Sequence, residues 1–320
     1  MSMTTPPSSK VGLRIGKMPN LYDIIIIGGG PAGMTAAIYS LRGGKKTLII
    51  EKNNFGGQIA NSPRVENIPG TKAISGLDFS SELFDQISDL GVDFELEDVE
   101  SITKENDIFT VKTNYGEHQG RAVIIATGVE HRHTGVDREE ELTGKGISYC
   151  AVCDGAFYKG EEVALIGDAN TAMQYTLLLS NYCKKVTVCA LFDHLFADQM
   201  LIDQVYSKDN VEVYFNKSLQ EFKGEEELKG LRFIDTQTKE EFNVDCKACF
   251  ICIGQVPNNK KYENLVELDS RGFIKVNANM ETSTPGLYAA GDCTVKEVRQ
   301  LATAFSDGAI AATKAIQYLK

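Results

Sequence analysis

Apolar residues fall into short unbroken runs along this chain, and glycine punctuates them. LYDIIIIGGG (21–30) is such a run closed by a glycine turn, and the stretch through TLIIEK (47–52) reads strand, turn, helix, strand. RAVIIATGV (121–129) is a buried strand ending in Ala126-Thr127-Gly128. The pattern then recurs: EVALIG (162–167) meets NTAMQYTLLL (170–179), and KKVTVCALFDH (184–194) closes a second unit. GLYAAGDCT (286–294) is a further strand ending in Gly291-Asp292, and VRQLATAFSDGAIAATKAIQYL (298–319) is an apolar helix. Alternating strands and helices predict an α/β protein with two Rossmann-like, three-layer ββα domains. The first domain is expected to be discontinuous, over 21–132 and 255–320, with the second inserted over 133–254. Polar, turn-forming stretches at 129–134 and 254–259 are the expected hinges. Residues 1–20 are rich in Ser, Thr, Pro and Lys, have no apolar signal-peptide core, and read as a disordered extension.

The first strand–helix junction carries a complete dinucleotide fingerprint, Gly28-x-Gly30-x-x-Gly33. The first glycine permits the tight turn, the second lets backbone N–H groups approach a pyrophosphate, and the third lets the helix pack on the strand. The helix start, at Pro31 and Ala32, then faces the anion with its positive dipole end. Glu51 ends the next strand, 18 residues beyond Gly33, where a carboxylate bonds a ribose hydroxyl. The second junction is spoiled. It reads Gly167-Asp168-Ala169-Asn170-Thr171-Ala172, with alanine for the middle glycine and an aspartate where a pyrophosphate would lie.

Of the 320 residues, 42% are apolar and 24% charged, and the net charge is −11. An acidic chain without a basic stripe argues against nucleic-acid binding. No apolar run reaches 18 residues, so no membrane span is expected, and a cytoplasmic protein is anticipated. Eight cysteines in a large chain of this kind point to redox groups or core filling rather than a disulfide framework.

SYCAVCDGAFYKG (148–160) lies between the two units. Cys150 and Cys153 form C-x-x-C, a spacing that suits a small-ring disulfide and lowers the pKa of one thiol. Asp154 follows directly and is placed to protonate a leaving thiolate. A half zinc site would need further ligands. The nearest are His131 and His133, 17–19 residues upstream, which read as hinge surface, so no metal site is expected. Cys246, Cys249 and Cys252 have the spacing of an iron–sulfur run, but the fourth position is Val256. A spacing of three on a strand sends successive side chains to opposite faces, so these cysteines are expected to pack the core. Cys183 and Cys189 are expected in the core too, Cys293 near the cofactor without a redox role, and GEEELKG (224–230) in a solvated turn.

Over residues 21–320 the chain resembles the low-molecular-weight thioredoxin reductase family. The carrying motifs are GGGPAG (28–33), GGQ (56–58), VENIPG (65–70), ATG (126–128), CAVCDG (150–155), IGQVPN (253–258) and AAGDC with VRQLATA (289–304). The resemblance implies an oxidoreductase that is a homodimer, binds FAD and reduces a thioredoxin through a redox-active disulfide. It implies that Cys153 faces the flavin, Cys150 attacks thioredoxin and Asp154 is the acid. It assigns FAD contacts to Gly28, Gly30, Pro31, Ala32, Gly33, Glu51, Gly57, Gln58, Asn67, Val99, Ala126, Thr127 and Gly128. Further contacts fall on Gly291, Asp292, Arg299, Gln300, Leu301 and Ala302, with Asn67 near the flavin ring.

One departure from the family pattern bears on the electron source. NADPH-using members carry an H-R-R-x-x-x-R cluster after the second strand of the second domain, and here those positions are Ala190, Leu191, Phe192 and Phe196. The glutamate usual at the end of the loop motif is Gln174. A hydrogen bond to a charged group contributes roughly 1.5–3 kcal/mol, so losing two or three removes about 4–6 kcal/mol. That is on the order of 10³–10⁴ in affinity. The resemblance therefore narrows to ferredoxin-dependent flavin thioredoxin reductases, which do without pyridine nucleotide. A thioredoxin lies near about −270 mV and a low-potential ferredoxin near about −400 mV, a gap of about 130 mV or roughly 6 kcal/mol for two electrons. Two alternatives stay open: NAD(P)H bound in an atypical mode, and a flavin redox sensor without turnover. A second flavin in the degenerate site, as in a related diflavin branch, is also left open.

Overall fold

A computed structural model describes residues 21–320 apart from 63, 64 and 66. The extension expected over 1–20 lies outside the described residues. The chain is a mixed α/β fold with two Rossmann-like parallel sheets. The first sheet contains β1 (Leu21–Ile27), β2 (Thr47–Glu51), β3 (Asp93–Leu96), β4 (Val99–Glu105), β5 (Ile108–Thr113) and β6 (Glu117–Ile125). Their spatial order is β3-β2-β1-β6-β5-β4, with parallel pairing through β3, β2, β1 and β6 and antiparallel pairing beyond.

The isoleucine run explains the three layers. Ile24 through Ile27 are all buried, yet successive side chains enter different cores. Ile25 and Ile27 pack with Phe109, Tyr262 and Ile274 on the face covered by the antiparallel strands and the 259–276 segment. Ile24 and Ile26 pack with Met34, Ala36 and Ala311 on the helical face. A strand covered on both faces needs no polar alternation, and each buried isoleucine stabilises by about 1.5–3 kcal/mol. The helical face holds α1 (Pro31–Arg42) and α2 (Gly76–Asp89). Ser75 caps α2, its hydroxyl accepting from the Asp78 N–H.

From the first sheet the chain passes through β7 (Glu130–His131), α3 (Glu139–Leu142), β8 (Ile147–Ser148) and α4 (Ala151–Asp154). The second sheet adds β9 (Glu162–Ile166), α5 (Asn170–Ser180), β10 (Lys185–Cys189), α6 (Gln199–Tyr206) and β11 (Val211–Tyr214). An antiparallel sheet of β12 (Lys217–Lys223), β13 (Gly230–Asp235) and β14 (Glu241–Asp245) follows, then β15 (Ala248–Ile251). The parallel order is β11-β10-β9-β15-β8. After β16 (Gln255–Val256) the chain returns as β17 (Leu287–Ala289) beside β6, and ends in α7 (Leu301–Tyr318).

Three expectations are refined. The segments read as hinge loops contain β7 and β16, which pair antiparallel, His131 opposite Gln255, so a two-strand ribbon joins the two sheets. The last helix starts at Leu301 and not at Val298, because Gln300 caps it with Thr303, whose hydroxyl accepts the Gln300 N–H at 3.1 Å. GEEELKG is not wholly solvated: Leu228 is buried against Leu231 and Phe233.

Candidate active site

The glycine turn, the Ala126 turn and the Gly291 turn meet at the C-terminal ends of the parallel strands of the first sheet, and backbone crowding shows why small residues stand there. A Cβ on Gly28, whose φ is +110°, would lie 2.3 Å from the Ala126 carbonyl oxygen. A Cβ on Gly33 would lie 1.9 Å from the Gly28 carbonyl oxygen, which brings α1 tight against its own turn. Gly30 caps α1, Pro31 occupies its first turn and Ala32 is buried beneath Gly291. The Gly30 and Gly57 backbones approach each other closely, a Cβ on Gly57 falling 3.3 Å from Gly30 Cα.

Around this cradle the predicted polar groups are held by their neighbours. Glu51 accepts from the N–H groups of Gly29 at 2.6 Å and Asn53 at 2.9 Å, so its carboxylate is fixed at the strand end. The Gln58 side-chain amide bonds the Val129 carbonyl. Asn67 donates to Gln300 Oε1 at 3.0 Å, joining two predicted flavin contacts that are 233 residues apart. Leu301 and Ala302 form the first turn of α7. Gly128 takes a φ of +65° beside Thr127 and the buried Ala126. Arg299 donates to the carbonyls of Asp292, Thr294 and Lys296. Val99 opens β4 and is buried in the core, its carbonyl accepting from Lys261 at 2.6 Å.

Two of these predicted contacts carry buried polar atoms without a hydrogen-bond partner, Thr127 Oγ1 and Asp292 Oδ1. Orphaned buried oxygens are costly, so such atoms point to a group that completes them. A hydroxyl-rich ribityl chain and pyrophosphate fit the need: small turns for close approach, a helix N-terminus, and unpaired acceptors. Burial pushes the Asp292 carboxyl up, while Lys296 and Arg299 favour its charge. Sequence reading missed Asp307 here. Its Oδ2 accepts the Gly291 N–H at 3.0 Å and pairs with Lys296, tying α7 to the Gly291 turn.

The second group of residues is the dithiol. Cys150 and Cys153 are joined as a disulfide, with Cα atoms 5.3 Å apart. Cys150 caps the single turn of α4, its Sγ accepting the Cys153 N–H at 3.2 Å. Asp154 closes that turn. Its Oδ2 accepts from Ser148 Oγ at 2.6 Å, and its Oδ1 is buried without a partner. Burial pushes the Asp154 carboxyl above the usual range, with the Ser148 hydrogen bond working the other way. A carboxyl raised by burial beside the two sulfurs is placed to protonate a departing thiolate. Ser148 was not foreseen as functional, although it stands two residues before Cys150. Its hydroxyl also accepts the Cys150 N–H at 3.0 Å, so one side chain positions both the sulfur and the acid.

His133 is exposed as expected, but His131 is half-buried, which corrects the surface expectation for that residue. His131 stacks on Tyr149, rings 4.6 Å apart and 16° from parallel, and burial pushes its pKa down to about 4. Glu139 is buried and collects Tyr149 Oη at 2.6 Å, Thr134 N–H at 2.8 Å, Thr134 Oγ1 at 2.6 Å and His133 Nδ1 at 3.2 Å. Burial opposes its charge, and the bonds from Thr134 and Tyr149 outweigh it, holding the carboxyl low. The residue preceding Cys150 is thus clamped from the ribbon side and from α3.

The remaining cysteines are structural. Cys249 lies in one core and Cys252 packs against the other, as alternation requires. Cys246 shares the core of Cys249, contrary to the expected alternation, because it precedes β15 and lies off the strand. Burial pushes all six free thiols up, Cys183 and Cys293 to about 11. No cluster of metal-ligating side chains occurs among the described residues.

At the second glycine turn, Gly167 takes the left-handed φ of +152° and β9 leads into α5 in Rossmann fashion. The approach to α5 is occupied by the chain's own 191–198 segment. The Phe196 N–H bonds the Asp168 carbonyl at 2.7 Å. Asn170 and Asp198 exchange two hydrogen bonds, at 2.8 and 3.1 Å. Phe196 packs edge-to-face on Phe192 and at a tilt against His194, at the positions where the family pattern places cations.

A one-turn disulfide beside an acid that burial pushes up, set on an α/β frame with a cradle of glycine turns, is suited to disulfide oxidoreductase chemistry. Residues 22–308 match the family model described as pyridine nucleotide-disulphide oxidoreductase. The chain belongs to the low-molecular-weight thioredoxin reductases of that family, which are FAD flavoproteins. It is 40% identical over 301 residues to the thioredoxin reductase of Bacillus subtilis, covering 94% of this chain and 95% of that one. It is 38% identical to that of Listeria monocytogenes, with 94% of each chain covered. The crystal structure of the Streptococcus pyogenes thioredoxin reductase superposes with a TM-score of 0.89 at 35% identity, covering 93% of this chain and 98% of that one.

Proposed function

We propose that this protein is an FAD-dependent thioredoxin-disulfide reductase that takes its electrons from a ferredoxin. The reaction follows from the disulfide, its acid and the relatives named for it. FAD, when bound, supplies the conversion of single electrons into the pair that a disulfide requires. Cys153 receives that pair, and Cys150 is the sulfur that attacks thioredoxin. Ser148 holds the acid and the nucleophile in register, and Asp154 supplies the proton to the leaving sulfur. Residues 21–132 and 255–320 are assigned to FAD, with the contacts given above, and 133–254 to presentation of the dithiol. A homodimer in the cytoplasm is the expected setting. No helix among the described residues is long and apolar enough to cross a membrane.

The observation that carries the choice of donor is the closed second site. Asp168 stands where a pyrophosphate would need N–H donors, and burial pushes its carboxyl up. Phe196 and Asp198 tie the overlying segment to the turn. The comparisons name the reaction without determining this chain's electron source; the family model is described by pyridine nucleotide, the relatives look like NADPH-type reductases, and none of them supports the ferredoxin-dependent branch. One observation supports the second reading, NAD(P)H in an altered mode: the βαβ unit and the left-handed Gly167 persist.

Anaerobic mixing separates the two readings. The FAD-loaded protein is expected to keep its flavin absorbance with excess NADPH or NADH. It is expected to bleach with reduced ferredoxin and then to generate thiols on added thioredoxin. Rapid bleaching by either nucleotide would overturn the ferredoxin assignment. A flavin that ferredoxin reduces without any thiol appearing would instead identify a redox sensor.

A further inference from the structure

An acidic electron carrier meets an acidic protein, so its docking place must be local and cationic. The face over the second glycine turn is unsuitable, since Asp168, Asp193 and Asp198 dominate it. A different surface lies at the rim of the flavin cradle. Arg299 and Arg271 flank the buried ring of Phe273, their guanidinium carbons 4.3 and 5.3 Å from its centroid. Arg299 also bonds the Asp292 carbonyl, next to the orphaned Asp292 Oδ1. Asn259 donates to the carbonyls of Gly272 and Cys293 at 3.0 and 2.9 Å, which ties the segment leading into the exposed Lys260 to the one following the exposed Arg271. Val295 and Val298, 43% and 58% exposed, supply apolar surface in the same loop as Arg299.

We propose that the surface formed by Lys260, Arg271, Arg299, Val295 and Val298 docks an acidic iron–sulfur protein and brings its cluster to the flavin edge. This inference rests on the ferredoxin reading above. The charges on the rim are not uniform. Asp269 pairs with Arg271 at 3.3 Å, partly offsetting it, and Glu297 projects from the loop between the two valines. The arrangement otherwise matches what recognition of an acidic carrier requires: cations that steer approach, a planar guanidinium for carboxylates, and apolar surface for close contact. Glu297 gives the proposal a test in both directions.

The FAD-loaded protein is titrated calorimetrically with an oxidised acidic 2[4Fe–4S] ferredoxin at low salt. The rate of flavin bleaching by the photoreduced ferredoxin is measured in parallel. The double substitution Lys260→Glu, Arg271→Glu is expected to weaken binding and slow bleaching about tenfold, and Glu297→Lys to strengthen and speed both about threefold. Both effects fade at high ionic strength. Reduction of thioredoxin by the pre-reduced dithiol form is expected to be unchanged. If the wild-type protein is bleached by ferredoxin but neither variant changes binding or rate, the carrier docks elsewhere and this surface is overturned while the donor stands. If the variants change only the thioredoxin step, the surface belongs to thioredoxin and the proposal fails. If ferredoxin does not bleach the wild-type flavin and NADPH does, the donor reading falls and the docking proposal with it. Glu297→Lys keeps the test decisive should the double variant fail to fold.

Discussion

Replacing Ser148 with alanine isolates the link between geometry and proton transfer. The serine hydroxyl donates to Asp154 Oδ2 at 2.6 Å, and Asp154 Oδ1 already lacks a partner. Removing the hydroxyl leaves a buried carboxyl with no side-chain donor. A hydrogen bond to a charged group contributes roughly 1.5–3 kcal/mol, and the Ser148 bond is what holds the buried carboxyl down, so losing it should push the carboxyl further up. Because the shift is upward in a carboxylic acid, the protonated form persists to higher pH. The assay begins from the dithiol protein and follows its exchange with oxidised thioredoxin, which bypasses the electron donor. If protonated Asp154 is the competent form, the alkaline limb of the rate profile moves to higher pH in Ser148→Ala. In Asp154→Asn that limb disappears and the rate falls on the order of 10²–10³-fold, the usual scale of general acid catalysis. An unmoved limb in Ser148→Ala, or a full rate in Asp154→Asn, would refute the assignment of the acid.

Other expectations follow from the same contacts. Gly33→Ala places a methyl 1.9 Å from the Gly28 carbonyl, so α1 must shift at a cost of about 1–3 kcal/mol or more. The variant should purify with little FAD, as read from its visible-to-ultraviolet absorbance ratio, and full FAD content would contradict the close-approach argument. Asp292→Asn should weaken FAD about 10- to 100-fold in a fluorescence titration, corresponding to one hydrogen bond to a charged group. The melting temperature of the apoprotein should hold, because Oδ1 has no protein partner to lose. His131 has a folded pKa of about 4 against an ordinary value of 6.5. Its neutral folded form therefore favours folding fully above pH 6.5, and that contribution is lost as pH falls towards 4. At pH 5 the loss is about 2 kcal/mol relative to neutral pH. His131→Phe keeps a ring on Tyr149 and should flatten this part of the urea midpoint profile. An unchanged slope would show that the stacked ring titrates normally.

Much of the frame could be read directly from the chain. Four consecutive isoleucines before GGG, repeated glycine spacings and a C-x-x-C-D motif are local signals. Period-2 burial, left-handed turns and a one-turn disulfide act within a few residues of their cause, so order in the sequence is order in space. The same locality misleads where the strand ends, and Cys246 is the example: it lies before β15 and turns into the core of Cys249. What lay beyond the sequence are contacts between distant segments. Asn67 meets Gln300, Asp307 reaches the Gly291 turn, and His131 stacks on Tyr149 only because β7 pairs with β16. The pKa of Asp154 belongs to this class as well, since burial is a property of the packed domain and not of the C-x-x-C-D motif. Spacing along the chain picked out the two sulfurs that the structure joins as a disulfide. Only the tertiary structure decided which polar atoms are left unpartnered and which are held, because desolvation depends on every segment that closes over a group.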